Sequence, residues 1–379
     1  MFHFLPYLLK TLWRHRTRTL LTVSGSAVAL FVFSFVLSVQ NGLKRMTEQD
    51  DSVLIVFQAN KFCPATSHLP QDYELKIREI PGVSNVVPIQ VFTNNCRASL
   101  DVVVFYGIPA EQVRQSRDFT LQSGSWSEFE THQDTGIVGQ RLATRRKLKT
   151  GDKFTVGTVN VTVAGIFTSR NPSEEDYVYC HLGFLQRTRG LDLVGTVTQH
   201  EVFLSPGVDP ALVASTIDEH LKGGTVRTDT RTKGVFQASS LADLIDLIDL
   251  SKYLGYACLG LMTVLLSTTT IMTVEDRVQQ HAVLQTLGVS TGRIFRLVLT
   301  ECLILSVLGG FIGIFAAAAT LTFSGMSIGA EAVTIAFTPS LDVLMTGAVV
   351  TVFVGVIAGL APAWRASRAE IVPALRSLG

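Results

Sequence analysis

The sequence holds one carboxylate where a carboxylate is costly. Glu301 falls inside the apolar run Ile294 to Phe323, and an acid at membrane depth is by default suspected of function, a proton relay being one candidate. It lies about two helical turns from Arg293, near one edge of the run. The five cysteines are the other reactive groups. Cys258 and Cys302 lie in apolar runs and read as small apolar side chains. Cys63, Cys96 and Cys180 lie in more polar sequence, where Cys63 with Cys96 is the candidate disulfide and leaves an odd thiol. A metal site from Cys63, His68, Cys96 or Cys180-His181 lacks the short repeated spacing that such sites use. There is no nucleophile elbow, no HExxH and no G-x-x-x-x-G-K-[ST] phosphate loop. The sequence therefore predicts no catalytic residue, no metal and no cofactor, and ATP chemistry has to come from another chain.

The remaining chemistry is mechanical. Glu275 to Gly292, EDRVQQHAVLQTLGVSTG, is a charged-to-amphipathic stretch between two apolar runs. Val278, Ala282, Val283 and Leu287 recur at helical spacing, with Gln279, Gln280, Gln285 and Thr286 on the other side. Gly288 stands where a helix takes a left-handed cap, and Ser290 or Thr291 can cap the next one. The spacing predicts a helix of roughly two to three turns on a tight reversal, a handle for a partner to grip.

The elements that position these residues follow from hydropathy. Of 379 residues, 47% are hydrophobic and 17% charged, too apolar for an ordinary soluble chain. The apolar residues cluster in four runs of about 20 residues or more, enough to span a bilayer. They are 20–39 (TM1), 253–274 (TM2), 294–323 (TM3) and 341–363 (TM4). The formal net charge of +1, with no basic stripe, argues against a nucleic-acid partner. Lys10, Arg14, Arg16 and Arg18 precede TM1, Arg277 and Arg293 lie between TM2 and TM3, and Arg365, Arg368 and Arg376 follow TM4. The 324–340 loop has neither Lys nor Arg. By the positive-inside rule both termini and the 275–293 loop are cytoplasmic, and the large domain over 40–235 is extracytoplasmic.

Residues 1–19 carry a stripe of Leu5, Leu8, Leu9, Leu12 and Trp13, predicting an amphipathic helix in the headgroup layer. TM1 is too long for a cleaved signal peptide and reads as retained. In the inserted domain, Ser52–Gln58, a helix near 72–79 and GVSNVVPIQVF form a strand-helix-strand unit. TVTQHEVFLS, 209–221 and GGTVRTDT repeat that order. The two units, 52–92 and 196–230, predict one mixed α/β lobe, with a β-rich lobe inserted over 93–195. Within it, KFTVGTVNVTVAGIFT alternates with period two around a glycine turn. The run Arg141, Arg145, Arg146, Lys147 and Lys149 reads as a solvated face. From Phe236 the sequence turns helical without a break, so a stalk over 236–252 continues into TM2. Gly309 and Gly313 in TM3, and Gly355 and Gly359 in TM4, have the small-xxx-small spacing that lets backbones approach, within a bundle or across a dimer.

VLQTLGVSTGRIFRLVLTECLILSVLGGFIG and the tail GLAPAWRASRAEIVPALRS resemble ABC-transporter permeases of the MacB/FtsX/LolC type. IVGQRLATRRKLKTGDKF and IREIPGVSNVVP are similar to phrases of the MacB-type periplasmic domain. The resemblance implies a membrane protein of four transmembrane α-helices with a large inserted extracytoplasmic α+β domain, in the bacterial inner membrane. It implies that Gln279, Gln280, His281, Val283, Leu284, Leu287 and Gly288 rest on a cytoplasmic ATPase subunit as a coupling helix. It also implies that Glu301 is a structural pairing or interfacial group. Where related coupling helices carry an Arg-Glu pair, this sequence has Gln279, Gln280 and His281. The implied partners are the ATPase, a second permease copy (identical or a paralogue), membrane lipid and, as a further candidate, a periplasmic adaptor. The implied activity is export or extraction of a lipid, lipoprotein, peptide or drug-like molecule by mechanotransmission. The alternative is an FtsX-like signalling subunit that activates a cell-wall hydrolase, and a catalytic outer domain is more remote still.

Overall fold

The computed structural model describes residues 16–47, 52–61, 64–95, 102–278, 282, 285–286, 289–324, 326–330, 333–337 and 339–368. The amphipathic stripe at Leu5 to Trp13 and the tail beyond residue 368 lie outside them. The described residues fall into two compact units, one from 1–41, 248–323 and 339–379, the other from 42–247 and 324–338.

The first unit is a bundle of four helices long and apolar enough to cross a membrane. They are TM1 (Arg16–Thr47), TM2 (Ala242–Asp276), TM3 (Thr291–Ser324) and TM4 (Leu341–Ser367). TM4 starts at Ser340, whose hydroxyl accepts a hydrogen bond from the Val343 N–H, with Asp342 in the positive first turn. Some polar groups inside the bundle find partners on a neighbouring helix. The Ser306 hydroxyl donates to Thr351 O at 2.8 Å, and the Cys302 thiol donates to the Thr270 hydroxyl at 3.2 Å. Without water to bond to, such groups need protein partners.

The second unit is built on a ten-stranded sheet in the order β12-β1-β11-β3-β4-β9-β6-β8-β5, with β7 paired to β8. The strands are β1 Val53–Gln58, β3 Val83–Thr93, β4 Val104–Ile108, β5 Phe119–Gly124, β6 Thr135–Gly139, β7 Lys153–Val156, β8 Val159–Ser169, β9 Tyr177–His181, β11 Gln199–Leu204 and β12 Thr228–Thr232. Strands β2 (Leu69–Pro70) and β10 (Thr196–Val197) form a separate small pair. The apolar run VLIVFQ makes sense because β1 is covered on both faces. Leu54 and Val56 pack with Tyr73, Ile77, Val213 and Ile217, while Val53, Ile55 and Phe57 pack with Phe236. Strand β3 joins the two halves of the sheet. Its first part pairs with β11 through Val83–Ile89, and its last part with β4 through Gln90–Thr93. Gly157, at φ +59°, opens the two-residue turn between β7 and β8. Helix Pro210–Leu221 is capped by Asp209, which accepts from Ala211 N at 2.9 Å, with Pro at its first position.

The helix expected to run unbroken from Phe236 is interrupted. Lys233–Ser240 ends at Leu241, and TM2 begins at Ala242. The Ser239 and Ser240 hydroxyls both donate to Phe236 O, at 2.8 and 3.1 Å, competing with the helical ladder at the break.

Candidate functional site

Three consecutive residues at the end of TM2 each reach a different span. Glu275 Oε1 lies 2.9 Å from Arg365 Nη2 of TM4, and Asp276 Oδ2 lies 3.0 Å from Arg18 Nη1 of TM1. Arg277 Nη1 lies 3.4 Å from Glu301 Oε1 of TM3. Successive residues on a helix point about 100° apart, so three neighbours fan out to three partners. The first two pairs are largely exposed and contribute about 0–1 kcal/mol each. The third is buried, with side chains 10% and 8% exposed, and removing Glu301 there strands the Arg277 charge.

Around this turn an apolar cluster of Val274, Ile294, Val298, Ala363 and Ala366 closes the end of the bundle. Arg18 Nη1 also donates to the Thr273 hydroxyl at 3.1 Å. Beside it opens a groove of about 640 Å³ lined by Val274, Glu275, Val278, Ala361, Trp364 and Arg365 among others. The Arg368 guanidinium stacks on the Trp364 ring at 4.8 Å. The turn leads directly into the 278–290 segment, of which Ala282, Gln285 and Thr286 are helical. Gln279, Gln280, His281, Val283, Leu284, Leu287 and Gly288 lie outside the described residues.

The glycines of TM3 and TM4 sit at close helix contacts within the bundle. Gly309 and Gly313 lie against TM1, where a methyl on Gly313 would meet the Ala27 carbonyl oxygen and come 2.9 Å from Phe31 N. Gly355 and Gly359 lie against TM3, facing Ser306 and Leu299 with Cys302.

The comparisons with known proteins decide the family. The MacB-like periplasmic core domain matches residues 19–220, more than half of the chain, and the FtsX-like permease C-terminal domain matches 254–371. The chain belongs to the MacB/FtsX-type permeases. An uncharacterised ABC transporter permease of Methanocaldococcus jannaschii is 21% identical over 330 residues, covering 82% of this permease and 81% of the relative. Among solved structures, the periplasmic region of MacB from Actinobacillus actinomycetemcomitans is 12% identical with a TM-score of 0.38, covering 52% of this chain and 97% of that one. The extracellular domain of YknZ from Gram-positive bacteria is 14% identical with a TM-score of 0.36, covering 48% and 98%.

In this permease Glu301 is an ion-paired residue, with Arg277 as a partner. Arg277, just past the end of TM2, meets Glu301 within TM3, 24 residues on in the chain. Cys180 is free and fully buried in β9, where burial pushes its thiol pKa up, and Cys258 and Cys302 are also free. Cys63 and Cys96 lie outside the described residues. Among the described residues no group of three or more His, Cys, Asp or Glu is gathered as for a metal ion.

The basic run of the inserted domain departs from expectation. Arg146, Lys147 and Lys149 are exposed, but the Arg141 and Arg145 side chains are 14% and 19% exposed and converge on Asp176, which is fully buried. Helix Gln140–Arg146 places them one turn apart on one side, a pattern that looks the same in sequence whether water or a carboxylate faces it.

Proposed function

We propose that this permease is the membrane subunit of an ABC transporter whose ATP hydrolysis takes place on a separate cytoplasmic chain. The ATPase grips the 275–293 segment through Gln279 to Leu287. Its closure displaces that segment, and TM2 passes the movement to the inserted domain on the other side of the bilayer. The observation that carries this reading is the Glu275-Asp276-Arg277 turn. A segment rooted in a turn tied to all three other spans moves the bundle when it is pushed. The placement of Lys and Arg supports cytoplasmic termini and an extracytoplasmic inserted domain. Two such subunits, identical or paralogous, work on two ATPases, and the cargo class is a lipid, lipoprotein, peptide or drug-like molecule expelled from the outer leaflet or the compartment beyond it.

The test is affinity purification of the tagged full chain from its native membrane in mild detergent. An ATPase subunit in equal amount is the expected companion. A chain that purifies alone, from membranes in which the ATPase is present, would overturn the reading.

A further inference from the structure

The segment between TM3 and TM4 belongs to the inserted domain. Strands β13 (Ser327–Ala330) and β14 (Val333–Ala336) pair antiparallel, Ser327 opposite Ala336 and Ala330 opposite Val333. A two-stranded hairpin this short is marginal in water, so its order comes from what it rests on. Ile335 and Thr334 are 0% and 1% exposed.

What it rests on is a clasp of charges. Arg141 Nη2 donates to Met326 O at 2.9 Å, and Arg145 Nη1 donates to the Ser327 hydroxyl at 3.0 Å and to Asp176 Oδ1 at 2.9 Å. Arg141 Nε lies 3.5 Å from Asp176 Oδ2. The other strand is held as well. Thr334 N donates to the Tyr177 hydroxyl at 3.2 Å, the Thr334 hydroxyl to Ser173 O at 3.1 Å, and Ala336 N to the Ser173 hydroxyl at 3.4 Å. Gly329 fits against Val102 so closely that a methyl there would come 2.9 Å from the Val102 Cβ. Arg141 and Arg145 both face the fully buried Asp176, so opening the seat would leave that carboxylate uncompensated.

We infer that this hairpin is a second force-bearing arm, fastening the connection between TM3 and TM4 to the inserted domain through Arg141, Asp176 and Arg145. The inference rests on the motor reading above and deepens it. In that reading displacement reaches the inserted domain through TM2. The hairpin adds a route from the other two spans, each joined to it by a few residues of chain. Arg141, Asp176 and Arg145 are positioning residues, since none of them generates the force.

The experiment uses the full chain with its ATPase in nanodiscs. Spin labels on non-natural amino acids at exposed Thr131 and Thr268 report the distance between inserted domain and TM2, with and without nucleotide. In one variant a flexible Gly/Ser linker of about six residues is inserted after Ser324 and another before Pro339, each letting its ends wander over roughly 13 Å. This leaves every clasp residue in place. The expected result is that nucleotide shifts the distance in the unmodified chain, and that the linker variant loses most of the shift. Its ATPase rate and the slow hydrogen exchange of Ser327–Ala336 should stay unchanged. The variant Arg141→Met/Arg145→Met/Asp176→Leu, which removes the charges and keeps the volume, should lose the shift and exchange the hairpin amides faster. A full shift in the linker variant overturns the second arm while leaving the motor reading intact. Faster hairpin exchange in the linker variant overturns the clasp as the holding element. No shift in the unmodified chain overturns the motor reading and the arm with it.

Discussion

Arg277 at the end of TM2 and Glu301 on TM3 form an ion pair with Nη1 3.4 Å from Oε1, both side chains 10% exposed or less. A buried pair of this kind contributes little relative to apolar residues of the same volume, but without Glu301 the Arg277 guanidinium is left buried and uncompensated. Glu301→Gln should therefore destabilise the chain by about 3–5 kcal/mol. Arg277→Met/Glu301→Met should recover most of that loss. Thermal unfolding of both variants in the same detergent checks it. A single substitution as stable as the unsubstituted chain would mean that the pair is not buried.

The helix contacts at the glycines predict a graded series. A methyl on Gly313 meets the TM1 backbone at Ala27 O, which cannot turn aside, whereas on Gly359 it would come 2.8 Å from the mobile end of Leu299. Gly313→Ala should then cost about 1–3 kcal/mol as overpacking, and Gly359→Ala less. The melting temperatures of the two variants give the ranking directly. The reverse order would mean that the TM1–TM3 contact is looser than the TM3–TM4 one.

Acid should weaken the inserted domain through His200. Burial pushes its imidazole down to about 4, partly offset by its bond to Pro70 O and by Asp72. A base whose folded pKa is depressed is protonated first in the unfolded chain. Stability is therefore intact above an ordinary histidine pKa of about 6.5 and falls as pH drops toward 4, by about 3 kcal/mol over that window. Asp176 works the other way, since burial outweighs Arg145 and Arg141 and raises its carboxyl, so its contribution shrinks as pH rises through the interval between its unfolded and folded values. Thermal unfolding of the full chain between pH 7 and pH 4 should show the loss, and His200→Gln should flatten it. An unchanged slope in that variant would assign the acid sensitivity to another group.

Much of this architecture was legible because it rests on local pattern. The unbroken apolar run of β1 reads as a strand buried on both faces, the Gly157 turn fixes the β7–β8 hairpin, and Asp209-Pro210 marks a helix start. The site was less legible where the partner is remote. Nothing in the spacing of Arg141 and Arg145 distinguishes solvent from Asp176, which lies some 30 residues on in the chain and one element away in space. The 327–336 stretch has small residues and no strong period, because its burial is imposed by the surface beneath it. Arg293 lies closer to Glu301 in sequence than Arg277 does, yet it is Arg277, at the far side of the 278–290 segment, that forms the ion pair.

The two halves of the sheet are also bridged by a buried ion pair, and it yields the last prediction. Arg117 follows helix Ala110–Ser116, Glu201 lies on β11, and Nη1 is 2.7 Å from Oε2 with side chains 5% and 3% exposed. The Arg117 guanidinium also lies over the Tyr179 ring at 5.8 Å. Burial alone would raise the Glu201 carboxyl, but Arg117, assisted by Lys233, holds it below the usual range. An acid with a depressed folded pKa contributes stability that is present above its unfolded value and is lost as pH falls through the folded one. Glu201→Gln should cost about 3–5 kcal/mol at neutral pH by leaving the guanidinium buried and uncompensated. Arg117→Leu/Glu201→Leu should be neutral or more stable by about 1–4 kcal/mol. Because β11 and the Arg117 segment lie in different halves of the sheet, amide exchange should rise along β3, the strand between them, in the single variant and not in the double. Exchange confined to the turn around Arg117 would instead show that the pair is a local contact and that β3 alone holds the halves together.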